Sequence, residues 1–242
     1  MARSENRGAA RKLTLEGFVI VISILAAFGL DTWWGSMRDR DEEQRMLVAL
    51  QEEFQAVQAQ LEFRVGLHKR ILTSVGSTLR ALTDALQDGS TFVSLPDTAL
   101  AWAYIPPTTQ VNLGTLNGLV ASGRLGIIRN RELRAALASW GGLLAEITEE
   151  EVGSRNYVHS ELDPVLRNRM NVTSFRNLGD SLYYGLLGAQ RMAMESRVPV
   201  DFEVAGVFAS RFQIVDHAID EFEPLQEEVS RILQLIEESR SR

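Results

Sequence analysis

Cysteine is absent from the 242 residues, which excludes disulfides, thiolate chemistry and cysteine-held metal. That absence is compatible with either side of a membrane. Lysine occurs only at Lys12 and Lys69, and the formal net charge is −7. Nucleic acid is gripped through clustered Lys and Arg, so it is not an expected partner. The three histidines, His68, His159 and His217, are far apart and lack the H-x-x-x-H or E-x-x-H spacing of a metal site. No G-x-S-x-G, P-loop or G-x-G-x-x-G occurs, so nucleophile-elbow and nucleotide readings have no foothold. With no convergent acid, base and nucleophile, the sequence nominates no catalytic, cofactor-binding or metal-binding residue, and an enzyme is not expected.

What is present begins with a run free of charge over residues 18–30, FVIVISILAAFGL. With interruptions the apolar stretch extends over residues 13–34, about 33 Å of helix, enough for a hydrocarbon core of roughly 30 Å. Glu16 and Asp31 fall near its edges, and Trp33 and Trp34 suit an interface. A transmembrane anchor is the expectation. Two readings compete with it. A cleaved signal peptide fits the short apolar run with Ala27-x-Gly29 as its small-residue site, and a soluble core helix is the third reading. Arg3, Arg7, Arg11 and Lys12 precede the span, and Arg38, Arg40 and Arg45 follow it. That bias puts the N-terminus in the cytoplasm and the rest outside the inner or plasma membrane. The expected division is a short cytoplasmic segment 1–12, a span 13–34 and a helical domain 35–242.

The domain reads as all-α, an antiparallel bundle of long helices over about 41–87, 131–170 and 202–239. In the first, Leu47, Leu50, Phe54, Val57, Leu61, Val65, His68, Leu72, Val75, Leu79, Leu82 and Leu86 alternate by three and four with one stutter at Leu61–Val65. Asp88-Gly89 reads as its stop. Gly66 and Gly76 each weaken it by about 1 kcal/mol relative to Ala. In the last, Phe208, Arg211, Val215, Ala218, Phe222, Leu225, Val229, Ile232 and Ile236 alternate strictly, with Asp201 as N-cap and Pro224 off the seam. Between them, residues 97–104 read as a short helix. Gly123 can end one helix and Asn130 cap the next, with Leu133, Leu137, Trp140, Leu144 and Ile147 as an apolar stripe. Pro164 is expected to disturb that helix. Residues 171–200 are poorly patterned, and a short helix over 181–195 is the best fit.

Few residues invite a chemical role. His68 lies on a seam, where a polar side chain often fixes register. Glu149, Glu150 and Glu151 read as a solvated face before a cation site. Ser122-Gly123-Arg124 between two helices resembles a helix-turn-helix, which the acidic charge argues against. Tyr183, Tyr184, Met192 and Met194 read as core first and as an adaptable surface second.

EGFVIVISILAAFGLDTWW followed by LVALQEEFQAVQAQL resembles the start of a family of uncharacterised bacterial single-pass membrane proteins. Its members pair a Glu-led anchor ending in Trp with a long helix of the L-x-x-L-x-x-[ED]-[FL] kind. SGRLGIIRNRELRAAL is similar to that family's second recurring block. The resemblance implies a single-pass, helical protein and brings no activity with it.

The leading expectation is a membrane-anchored structural or protein-interaction bundle. Its partners would be the lipid bilayer and either a further copy of itself or another membrane protein. The second is a ligand-sensing bundle with a small molecule between helices near Trp140 and Tyr183, signalling through a membrane partner; His68, Trp140, Tyr183 and Tyr184 are the candidate interaction or pocket residues. An enzyme without a recognisable motif is the third. No cofactor is expected.

Overall fold

The structure is a computed structural model that describes residues 5–109, 111–183, 185, 186, 188 and 193–241, with backbone only for 5–21, 24, 180 and 183. Helix α1 (Glu5–Gln87) runs unbroken for 83 residues, about 125 Å at 1.5 Å per residue. Ile22, Leu25, Phe28, Leu30, Trp33 and Trp34 all stand exposed on it. Among the described residues no helix is long and apolar enough to cross a membrane. Within the expected span 13–34, the side chains of 13–21 and of Ile24 lie outside the described residues. From Glu43 onward α1 is part of the bundle.

The helix ends where the sequence carries Asp88-Gly89. Gly89 takes φ +70° and the Ser90 N–H reaches the Ala85 carbonyl at 2.9 Å, which satisfies one of the free C-terminal carbonyls. A strand follows, β1 (Phe92–Pro96), paired antiparallel with β2 (Glu195–Pro199), Val93 opposite Val198 and Leu95 opposite Ser196. This ribbon corrects the reading of the chain as helix alone. It also corrects the helix expected over 181–195: helix α6 (Gly179–Tyr183) stops before Gly185, which has φ +66°, and Glu195 begins a strand. The fold remains all-α in class, with one small ribbon on its side.

Helix α2 (Asp97–Ala103) leaves β1 directly, and α3 (Gly114–Ala121) precedes a 3₁₀ turn at Arg124–Ile127. Helix α4 (Arg131–Tyr157) is capped by Asn130, whose side-chain oxygen accepts from Glu132 and Leu133 N–H at 3.0 and 3.2 Å. The third long helix expected over 131–170 is three segments: α4, a π turn at Val158–Leu162, and α5 (Asp163–Arg169). Pro164, in the first turn of α5, has no N–H and its ring crowds the preceding turn, and the widened π turn sits where that crowding falls. A second 3₁₀ turn, Arg176–Leu178, leads into α6. Helix α7 (Phe202–Arg240) opens on Asp201, which accepts from Glu203 and Val204 N–H at 2.9 and 2.8 Å.

All nine seam residues of α7 are buried, and Pro224 faces solvent without ending the helix. The α1 seam is buried as read through Leu61 and then rotates. Leu67, Ile71, Thr78 and Ala85 are buried, while Val65, Leu72, Leu79 and Leu86 are only partly so. The cause is a change of neighbours, because beyond Leu61 the helix also packs against α2 and β1. Two cores result. The proximal one joins Leu47, Leu50, Phe54, Val57 and Leu61 to α3, α4 and the C-terminal half of α7. The distal one joins Leu67, Ile71, Val75 and Leu82 to α2, the ribbon, α5 and the start of α7. Helix α7 runs antiparallel to α1, and α4 runs alongside α1, with Glu43 at Arg129 and Phe54 at Trp140.

Candidate functional site

Three of the buried polar side chains, Glu151, Ser154 and Arg211, lie where α4 and α7 pack beside the end of α2. Arg211 lies on the α7 seam and is 0% exposed. Its Nε donates to the Ala103 carbonyl at 3.1 Å, Nη2 to the Ile105 carbonyl at 2.8 Å, and Nη1 to Ser154 Oγ at 2.6 Å. Those carbonyls are at and just past the C-terminus of α2, where no intrahelical donor remains and the helix dipole favours a cation. Burial lowers the Arg211 pKa to about 10, so the group stays charged at neutral pH. One turn before Ser154, Glu151 is buried and accepts from Thr109 N–H at 2.7 Å and Thr109 Oγ1 at 2.6 Å. Arg211 and Glu151 therefore hold the proline-bearing connector after α2 against α4 and α7. Tyr157 adds a bond from its hydroxyl to the Val207 carbonyl at 2.9 Å.

The run Glu149–Glu151 is thus split, since Glu149 and Glu150 are exposed while Glu151 turns inward. Among the described residues no group of three His, Cys, Asp or Glu side chains is placed to hold a metal ion. His159 is exposed, and His217 lies 3.6 Å from Glu221 on the surface.

His68 sits at the junction of the two cores. Its Nδ1 donates to the Arg64 carbonyl at 3.0 Å and its ring centroid is 5.1 Å from that of Phe222. Burial pulls its pKa below the usual 6.5, against the pull of that hydrogen bond, and the charges of Arg211 and Arg64 add to the lowering. Trp140 belongs to the proximal core, edge-on to Phe54 with centroids 5.1 Å apart, and is 1% exposed. Its Nε1 has no hydrogen-bond partner among the described residues. Helix α6, which carries Tyr183, packs on α2 at the distal core. The structure therefore does not bring Trp140 and α6 to one core. The Tyr183 side chain, Tyr184 and Met192 lie outside the described residues, and Met194 is exposed.

Two smaller polar groups brace the distal end. Asp97 accepts from Ser196 Oγ at 2.6 Å, and Ser196 shares a 3.0 Å bond with Ser174, so α2 is fastened to β2. Asp163 meets Arg176 at 3.1 Å. Tyr104 packs on Phe175, and its pKa is raised by burial first and by the Asp163 charge second. Reading the sequence missed this polar centre, although one signal was visible: an arginine in a seam otherwise made of apolar residues. No protein-family model, curated protein or solved structure matches the chain.

Proposed function

We propose that the chain is a single-pass membrane protein with a cytoplasmic N-terminus, whose helical bundle stands outside the inner or plasma membrane in a structural or protein-interaction role. One observation carries the reading. Ile22, Leu25, Phe28, Leu30, Trp33 and Trp34 are exposed on α1 before the bundle begins, spread over about 240° of the helix at 100° per residue. A surface helix has one apolar stripe, whereas a helix apolar on most sides belongs in a protein core or a bilayer. The paired tryptophans at the domain end suit a headgroup layer, and the excess of basic residues before the span supports the orientation. An interaction role is supported by the distribution of polar groups. Arg211, Glu151 and Tyr157 in the interior bond to the chain's own backbone, and α7 presents exposed carboxylates outward.

The test is fractionation of the full-length protein. It is expected to stay in the membrane pellet after carbonate washing with its N-terminal residues intact. A reporter fused after Arg242 is expected to be active only if it works outside the cytoplasm. Release into the soluble fraction, or a mature N-terminus at Leu30, would replace the anchor with a cleaved leader. A reporter that works only in the cytoplasm would reverse the orientation.

A further inference from the structure

Residues 63–83 of α1 carry Arg64, Lys69, Arg70 and Arg80 and no acidic residue. Residues 212–230 of α7 carry Asp216, Asp220, Glu221, Glu223, Glu227 and Glu228 and neither Lys nor Arg. Three contacts across the antiparallel pair set their relative height. Gln51 meets Arg240, His68 meets Phe222, and the Phe212 ring lies 3.0 Å from where a Cβ on Gly76 would be. In each contact the two residue numbers sum to nearly the same value, which places Lys69 and Arg70 level with Asp220 and Glu221. Among the described residues, however, the ion pairs of α7's acidic stretch are local, Glu221 with His217 and Glu228 with Arg231. Among the described residues no ion pair joins Lys69 or Arg70 to α7. Lys69 and Arg70, with Thr73, Ser74, Ser77 and Trp102, line a shallow concavity between α1 and α2. Asp216, Asp220, Glu223 and Glu227 are all exposed and follow one another along α7 as a ridge, Glu223 and Glu227 also edging a groove toward α1 with Glu62 and Arg231.

We propose that the acidic ridge of α7 on one copy docks into the basic concavity between α1 and α2 of a second copy in the same membrane. This rests on the tethered reading above. Copies sharing a bilayer differ by a rotation about the membrane normal and a shift within its plane, which preserve height. A basic concavity that stands level with the ridge within one chain is therefore level with the ridge of its neighbour. Both stand about 54 Å beyond Trp34, from the helical rise. Two ridges repel, as do two concavities, so the charges select the pairing as well as favour it. Exposed ion pairs are individually weak and screened by salt. Confinement to a membrane offsets this by raising the effective concentration of one face for the other.

The absence of cysteine allows single-site labelling through Ser241→Cys. Full-length protein carrying donor or acceptor dye, reconstituted in lipid vesicles, reports association as energy transfer between copies. Transfer is expected at low ionic strength and is expected to vanish near 1 M salt, where the screening length is about 3 Å. Lys69→Glu/Arg70→Glu alone and Asp220→Lys/Glu223→Lys alone should each fall to the level of dilute, non-associating protein. An equal mixture of the two should recover wild-type transfer, because each reversed face then meets its complement. Recovery also shows that both variants are folded. Wild-type transfer in either variant alone, or a mixture that stays at baseline, would overturn the docking. Flotation of the same vesicles reads the anchor separately, since neither variant touches it. Flotation without transfer rejects the docking alone, and failure to float rejects the tethered reading with it.

Discussion

Arg211 occupies a seam position that eight apolar residues of α7 lead one to expect apolar, and its guanidinium replaces water for two carbonyls that α2 cannot satisfy. Hydrogen bonds to charged groups are worth about 1.5–3 kcal/mol each, and a partner left unbonded in the interior costs more than the bond was worth. Arg211→Met, which keeps volume and removes the donors, is therefore expected to destabilise the bundle by about 3–5 kcal/mol. The denaturant midpoint of the full-length protein followed by far-UV circular dichroism measures it, and an unchanged midpoint would show that the connector is held by packing alone. His68 makes a prediction of opposite kind. Its folded pKa is below the unfolded 6.5, so above pH 6.5 it is neutral in both states and costs nothing. As pH falls below 6.5 the unfolded chain takes up a proton that the folded one resists. Stability should then decline by up to about 1.4 kcal/mol per pH unit until the folded pKa is reached. Thermal unfolding of wild type and His68→Leu between pH 7 and 5 should diverge only on the acid side, and parallel curves would exclude His68 as the cause.

At the scale of elements, two glycines of α1 that look alike in sequence differ in the fold. A Cβ added at Gly66 meets nothing within 4 Å, whereas one at Gly76 would lie 3.0 Å from the Phe212 ring. Gly66→Ala should stabilise by about 0.5–1 kcal/mol through helix propensity. Gly76→Leu should destabilise by about 1–3 kcal/mol because α7 must move aside. The pair is measured in the same unfolding assay, and a loss at both positions would mean that α1 and α7 approach differently. The difference is not legible locally, since Phe212 is far from Gly76 in the chain. Helix α7 was legible in full because one unchanging stripe faces the core along its whole length. In α1 the stripe was legible in full to Leu61. Beyond it His68, Val75 and Leu82 stay buried as read, while a second set of neighbours draws Ile71, Thr78 and Ala85 inward in place of Leu72, Leu79 and Leu86. The ribbon was not legible at all. Its strands are five residues each, end in Pro96 and Pro199, and find each other across about a hundred residues, so neither carries a pattern that identifies it alone.

At the scale of the whole molecule, the two cores share α1, α4 and α7 among the described residues, and His68 with Phe222 marks where one gives way to the other. The polar centre around Arg211 lies wholly in the distal half. No motif marks it in the sequence, because two of the three partners of Arg211 are the backbone carbonyls of Ala103 and Ile105, which no side-chain pattern announces. What sequence did reveal, the charge-free run and the long seams, belongs to the parts built from repetition.

A continuous α1 also makes the molecule a rigid mast. From Trp34 to Gln87 it rises about 80 Å, and membrane helices commonly lean by about 20° from the normal. In the tethered arrangement such a lean swings the tip sideways by about 27 Å, more than the width of two helices. Bilayer thickness, by setting the lean, would therefore set how far from its own foot each copy reaches.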